Sequence, residues 1–129
     1  MSAAGLAPVG LGIDLVDVPR FAIVLARRPS LKDRVFTPAE LVYALAMANP
    51  VPSLAARFAA KEAVMKALGV GLFAFPFADV EVQRHASGQP VLALRGRAAS
   101  LAEARGARHW LVSLSHTGSS AAAVVVALP

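Results

Sequence analysis

Residues 54–71 read LAARFAAKEAVMKALGVG, and no other stretch constrains the fold as tightly. On a helix at about 100° per residue, Leu54, Phe58, Val64, Met65 and Leu68 form one broad apolar arc. Ala55, Ala56, Ala59, Ala60, Ala63 and Ala67 fill nearly all the rest. A helix that is apolar or small all round is normally buried, so the remaining chain is expected to wrap it. Four charges interrupt it: Arg57, Lys61, Glu62 and Lys66. Lys61 falls near the middle of the apolar arc, with Glu62 and Lys66 at its edge. Buried charge needs a partner or a ligand. The helix therefore asks for neutralisation by a metal, an anionic ligand, or both.

Upstream, Ser53 is the expected cap of this helix and Asn49-Pro50-Val51-Pro52 the break before it. Gly69 or Gly71 ends it. Thr37-Pro38-Ala39-Glu40 is a capping box with proline at the first helical position, opening a helix that runs to about Ala48. Residues 9–18, VGLGIDLVDV, read as a buried strand. Asp17 then caps a helix with Pro19 in its first turn, reaching about Arg28 before Pro29. Phe21, Val24 and Leu25 are its apolar positions, which leaves Arg20, Arg27 and Arg28 to the rim or to solvent.

Downstream, residues 73–77 form an aromatic loop around Pro76, and residues 79–84 alternate as a half-exposed strand does. Ser87-Gly88-Gln89 turns into a second strand over 90–94. Residues 98–105 read as a short helix ended by Gly106. Residues 110–115 and 121–128 make a strand pair around His116-Thr117-Gly118. This order gives an α+β fold, with helices packed on a small, mostly antiparallel sheet, in one domain spanning 1–129.

The hydrophobic fraction is 57% of 129 residues. That exceeds the roughly 45–50% usual for soluble domains, and cover by other subunits would account for the excess. No apolar run approaches about 20 residues, so no transmembrane helix is expected, and MSAAGLAPVG lacks the pattern of a signal peptide. The absence of cysteine excludes disulfides, thiolate metal sites and cysteine nucleophiles, and fits a cytoplasmic protein. The net charge of +5 suits an acidic partner. Arg20, Arg27, Arg28, Lys32 and Arg34 crowd one segment against Asp33 alone, though a solvated helix face would show the same pattern. No basic run is interleaved with aromatics, which argues against nucleic acid.

Asp14 stands between Ile13 and Leu15, where a buried strand should carry an apolar residue. Alone it could be a cap or an ion-pair partner, and Glu62 could simply pair with Lys66 one turn on. Taken together, two carboxylates on buried elements without a Cys or His cluster suit a hard cation. Mg²⁺ accepts one or two protein oxygens and completes its shell with water and phosphate. Arg57, Lys61 and Lys66 could then hold phosphate oxygens, unless they only pair with carboxylates of neighbouring elements. His116 is flanked by hydroxyls at a strand end, where ligand sites often lie. His85 and His109 carry no assigned role. Ser115 has no nucleophile elbow and no spaced acid and base, which argues against a serine-hydrolase triad.

Four motifs recur here in order: Gly10-Leu11-Gly12-Ile13-Asp14-Leu15 with Arg20 following; Arg57-Phe58-Ala59-Ala60-Lys61-Glu62-Ala63 with Lys66-Ala67-Leu68-Gly69; Gly88-Gln89-Pro90; and Ser113-Leu114-Ser115-His116-Thr117. Over almost its full length the chain resembles the bacterial holo-acyl-carrier-protein synthases, the small 4′-phosphopantetheinyl transferases. The resemblance implies the 4′-phosphopantetheinyl transferase fold. It also implies transfer of the phosphopantetheine arm of coenzyme A to a serine of an apo-acyl carrier protein, in fatty acid biosynthesis, with adenosine 3′,5′-bisphosphate released. By the same resemblance Asp14 and Glu62 hold Mg²⁺ and act with Lys66 in catalysis. Arg57, Lys66, Gly69, Pro90, His116 and Thr117 surround coenzyme A. Arg20, Arg27 and Arg28 grip the acidic carrier, and three subunits share sites formed between neighbours. The base that takes the serine proton is Glu62 or a water at the metal. Lys61 belongs to the motif without an assignable task.

Three departures from the family pattern stand out. The segment 47–53, MANPVPS, lacks the charges that commonly approach the nucleotide. Asp17 stands where Glu is common, and Ser119-Ser120 where an aromatic often precedes the last strand. The competing readings are a transferase acting on a different carrier, a non-catalytic nucleotide-binding module and, last, a general nucleic-acid binder.

Overall fold

The computed structural model describes residues 7–129. Strand β1 (Gly10–Asp17) leads into helices α1 (Val18–Arg27), α2 (Leu31–Val35), α3 (Pro38–Leu45) and α4 (Val51–Leu68). A 3₁₀ turn at Phe77–Asp79 precedes strands β2 (Val80–Arg84) and β3 (Pro90–Leu94). Helix α5 (Gly96–Ala104) and strands β4 (His109–His116) and β5 (Ser120–Leu128) complete the chain. All strand pairing is antiparallel, divided between a three-stranded sheet β1-β5-β4 and a hairpin β2-β3.

Helix α4 is buried nearly all round, as its composition demands. Leu54, Ala55, Ala56, Ala59, Ala60, Ala63, Val64, Met65 and Leu68 are in the core. It lies on the inner face of the three-stranded sheet, with α1, α3 and β2 against its other sides. Small residues meet small residues there: Ala121, Ala123 and Ala127 of β5 are buried beneath it. The closest approach is at β1. A Cβ on Gly12 would sit 1.9 Å from the Ala63 carbonyl oxygen, and one on Gly10 2.0 Å from that of Ala67. The strand backbone is therefore flush with the helix backbone, which no residue larger than glycine allows.

The ends of α4 differ in part from expectation. It begins at Val51, and Pro50 rather than Ser53 occupies the cap position. Prolines lack an N–H, and the first turn of a helix needs none, so Pro52 starts this helix instead of breaking it. The Val51 N–H donates to Asn49 Oδ1 at 3.3 Å, and Ser53 is turned to another use. At the far end Gly69 is the C-cap, left-handed at φ 69°, with its N–H on the Lys66 and Met65 carbonyls. Helix α3 has both halves of the expected capping box but stops at Leu45, three residues short of Ala48. Asp17 caps α1 as expected, accepting from the Arg20 N–H at 2.9 Å. Phe21 and Leu25 are buried, whereas Val24 is exposed. Helix α2 was not anticipated; its five residues are too few for a periodic signal.

Lys61 is fully buried and paired. Its ammonium is 2.7 Å from Glu40 Oε1 and also donates to the carbonyls of Val80 and Phe77. Glu40 in turn accepts the N–H groups of Thr37 at 3.0 Å and Val82 at 2.9 Å. This pair ties α3, α4 and β2 together. No helix of the described residues is long and apolar enough to cross a membrane. The outer face of the three-stranded sheet is apolar and open: Leu11, Ile13, Leu15 and Leu111 are all more than half exposed there.

Candidate active site

The close packing of Gly10 and Gly12 sets the position of Asp14. All three face inward, so Asp14 continues the row toward the preceding turns of α4. Asp14 is 8% exposed. Its Oδ1 accepts from Lys66 Nζ at 3.0 Å, and Lys66 also donates to the Ile13 carbonyl at 3.0 Å. Lys66 thus pairs with Asp14 and not with Glu62 one turn before it. Glu62 is half-buried beside Asp14. Its carboxyl is pushed up to about 7, first by burial, then by the charge of Asp14 and a hydrogen bond between the two carboxyls, against the pull of Lys66. Two carboxylates held this close resist ionising together, and a cation between them relieves the conflict. No third Asp, Glu or His joins them to form a metal cluster among the described residues.

A cleft of about 410 Å³ opens in front of this pair. Asp14, Glu62, Asp17 and Arg20 give it one polar wall; Phe21, Val24, Leu31 and Phe58 give the apolar one. Phe58 is central to that wall, 5.2 Å from the Phe21 ring and 5.3 Å from the stacked Phe77 ring. Arg27 and Arg28 lie exposed at the end of α1.

Arg57 belongs elsewhere. It precedes Glu62 by five residues, which places it about 140° away around α4. Arg57 is 2% exposed. Its Nη1 donates to Ser53 Oγ at 2.5 Å and its guanidinium lies 4.3 Å from the centre of the Tyr43 ring. A second pocket, of about 210 Å³, is lined by Arg57, Ser53, Met47, Arg84, Ser115 and His116. His116 ends β4, whereas Asp14 lies on β1, and β5 runs between these two edge strands. At ordinary strand spacing the edges are roughly 10 Å apart.

The expected residues therefore fall into two groups. Asp14, Glu62 and Lys66 converge on one side of α4, with Arg20 at the cleft and Gly69 capping the same helix. Arg57 and His116 converge on the other side. Pro90 is linked to them through Arg84, its partner in the β2–β3 register. Thr117 sits in the β4–β5 turn, where its Oγ1 accepts the N–H groups of Ser119 at 3.2 Å and Ser120 at 3.1 Å. Ser53, Tyr43 and Arg84 escaped the sequence reading. The signal for Ser53 was its place one turn before Arg57; Tyr43 and Arg84 lie on other elements and gave none.

The geometry joins a paired carboxylate and ammonium cleft to a separate basic pocket on one α+β scaffold, an arrangement suited to moving a phosphate-bearing group. Residues 10–126 match the 4′-phosphopantetheinyl transferase superfamily. The holo-[acyl-carrier-protein] synthase of Moorella thermoacetica is 50% identical over 115 residues, covering 89% of this chain and 90% of that one. Among solved structures, holo-[acyl-carrier-protein] synthase from Neisseria meningitidis superposes with a TM-score of 0.85 at 31% identity, covering 94% of this chain and 98% of that one. The Helicobacter pylori enzyme in complex with coenzyme A superposes with a TM-score of 0.79 at 28% identity, covering 91% and 98%. The chain belongs to the 4′-phosphopantetheinyl transferase superfamily.

Proposed function

We infer that the chain is a holo-acyl-carrier-protein synthase, transferring the 4′-phosphopantetheine of coenzyme A to a serine of apo-acyl carrier protein. Adenosine 3′,5′-bisphosphate is the second product. The observation that carries this reading is the meeting of Asp14 and Glu62 on the wall of a half-apolar cleft, with Lys66 paired to Asp14. The relatives named as holo-acyl-carrier-protein synthases and the neighbour solved with coenzyme A support it.

The serine oxygen attacks the β-phosphorus of coenzyme A as the bond to the bridging oxygen breaks, and that oxygen leaves with its electron pair on the bisphosphate. The base that takes the serine proton is Glu62 or a water at the metal, and the raised Glu62 carboxyl supports Glu62. Raised to about 7 in the metal-free protein, this carboxyl is a stronger base than an ordinary carboxylate. Lys66 uses two of its three N–H bonds within the chain and is 56% exposed, so the third can meet a phosphate oxygen at the cleft mouth. The crowding of Asp14 and Glu62 suits Mg²⁺, which they would hold from the protein side. When bound, Mg²⁺ supplies positive charge against the phosphates. Phe58 and Phe21 give the cleft its apolar wall.

Arg20, Arg27 and Arg28 form the docking face for an acidic carrier, because all three are exposed along α1 and its C-cap and Arg20 lines the cleft. Two features support a ring of identical subunits, three by resemblance. The outer sheet face exposes Leu11, Ile13 and Leu15, a row that water disfavours. The two residue groups also lie on different sides of α4, so head-to-tail contact can join the carboxylate side of one subunit to the Arg57 side of the next.

The reading is tested by incubating the purified protein with coenzyme A and an apo-acyl carrier protein. The carrier serine should gain one phosphopantetheine by mass, with Mg²⁺ and not after chelation. Coenzyme A binding without any transfer to a carrier panel would instead leave a nucleotide-binding module.

A further inference from the structure

Two arginines meet at the second pocket, whose own lining holds no acid; Glu81 lines the neighbouring pocket that both also border. Arg57 is almost wholly buried, and its Nε has no hydrogen-bond partner among the described residues. Neither Arg57 nor Arg84 forms an ion pair among the described residues; the two ion pairs there use Lys61 and Lys66. Burial and then the charge of Arg84 push the Arg57 guanidinium down from its ordinary value, against the pull of Glu40 and Tyr43. A buried cation next to a second cation is unfavourable unless something else is bound there.

Arg84 is held in place rather than left loose. Its Nη1 donates to the Gly88 carbonyl at 2.6 Å, across the hairpin turn that also carries Pro90. Its guanidinium stands 5.0 Å from the centre of the Tyr43 ring, the same ring that Arg57 covers at 4.3 Å. Tyr43 thus serves as a common platform for both. Arg57, Arg84, Ser53, Ser115 and His116 then line a space of about 210 Å³, apart from the Asp14–Glu62 cleft and roomy enough for a phosphate together with part of the group that carries it. Fork-shaped guanidiniums are well suited to the several oxygens of a phosphate.

We propose that Arg84, set on Tyr43, is a substrate-binding residue of this chain that selects a terminal phosphate monoester, and so distinguishes coenzyme A from its analogue without the 3′-phosphate. This rests on the coenzyme A reading above and adds to it a discriminating residue. The segment 47–53 contributes no charge to the pocket, only Met47 and Ser53, so the hairpin arginine supplies it.

The test compares binding with turnover. By calorimetry, the native protein should bind adenosine 3′,5′-bisphosphate about ten- to a hundredfold more tightly than adenosine 5′-monophosphate, the difference of one charge-assisted contact set. Arg84→Gln should lose most of that preference while its affinity for adenosine 5′-monophosphate stays unchanged. Tyr43→Leu should lose part of it. Arg84→Lys should recover only part, because an ammonium does not stack or fork. In transfer assays Arg84→Gln should raise KM for coenzyme A with little change in kcat, and leave KM for 3′-dephospho-coenzyme A where it was. Full retention of the preference in Arg84→Gln, or an equal loss for both ligands, overturns the proposal. A native protein that binds with the stated preference yet transfers nothing would overturn the transferase reading and leave the role of Arg84 standing.

Discussion

Lys61 and Glu40 form an ion pair at 2.7 Å with both side chains fully buried. Removing one partner leaves the other charge in the core without compensation. Lys61→Ala should therefore destabilise the protein by about 3–5 kcal/mol, measured by denaturant unfolding. Lys61→Met with Glu40→Leu should recover part of that loss, since no lone charge remains. The double variant still strands the N–H groups of Thr37 and Val82 that Glu40 accepts, so recovery should be incomplete. Additive losses in the double variant would count against the pair as a coupled unit.

Glu62 gives the metal-free protein a distinctive pH dependence. Its folded value of about 7 lies above the ordinary 4.5, so the folded state holds the extra proton between those values. Stability from this group is full below about 4.5 and is lost as pH rises through 7. The loss should be roughly 1–2 kcal/mol after allowance for solvent screening of a half-exposed carboxyl. Unfolding in chelator at pH 5.5 and pH 8 should show it, and Glu62→Gln should flatten it. Added Mg²⁺ should stabilise more at pH 8 than at pH 6, because the ligands must be deprotonated.

The helix that organises the chain was readable from residues 54–71 because its apolar and small positions leave no wet side. The strand at β1, the Asp17 cap and the capping box at Thr37 were equally local signals, although β1 is buried on one face only and exposes Leu11, Ile13 and Leu15 on the other. What could not be read involved partners remote in sequence. Glu40 lies 21 residues before Lys61, and its carboxylate was accounted for by the cap alone. Lys66 had an acid one turn before it, yet meets Asp14 52 residues away. Asp14 and Glu62 were paired as two carboxylates on buried elements, and the reason for their meeting, the backbone contact at Gly10 and Gly12, appears only in three dimensions.

That contact can be probed directly. A Cβ on Gly12 would stand 1.9 Å from the Ala63 carbonyl oxygen, which cannot move without disturbing α4. Gly12→Ala should cost about 1–3 kcal/mol of stability. It should also push Asp14 away from Glu62, so that more Mg²⁺ is needed for half-maximal activity. Gly71→Ala is the control: nothing lies within 4 Å of its added Cβ, and both stability and metal requirement should hold.

The arginines of α1 should separate carrier from coenzyme A. Arg27 lies in the last turn and Arg28 at the C-cap, both exposed. Reversing their charge in Arg27→Glu with Arg28→Glu should raise KM for the acyl carrier protein about tenfold or more and leave KM for coenzyme A nearly unchanged. Raising the salt concentration should weaken the native protein's hold on carrier and affect the variant less. An equal rise in both KM values would argue that the substitutions disturb the cleft itself.

Sharing of sites between subunits has its own signature. Glu62 and His116 belong to the two groups on different sides of α4. In a head-to-tail ring, each site would take Glu62 from one subunit and His116 from the next. Glu62→Gln and His116→Ala should each depress activity severely in their own assemblies. When the two are unfolded, mixed in equal amounts and refolded together, random assembly gives about one interface in four with both native residues. Activity should then recover to about a quarter of the native value, well above the sum of the two variants measured apart. If each subunit instead holds a complete site, no mixture can contain a native one, and the mixed sample will show only the average of its components.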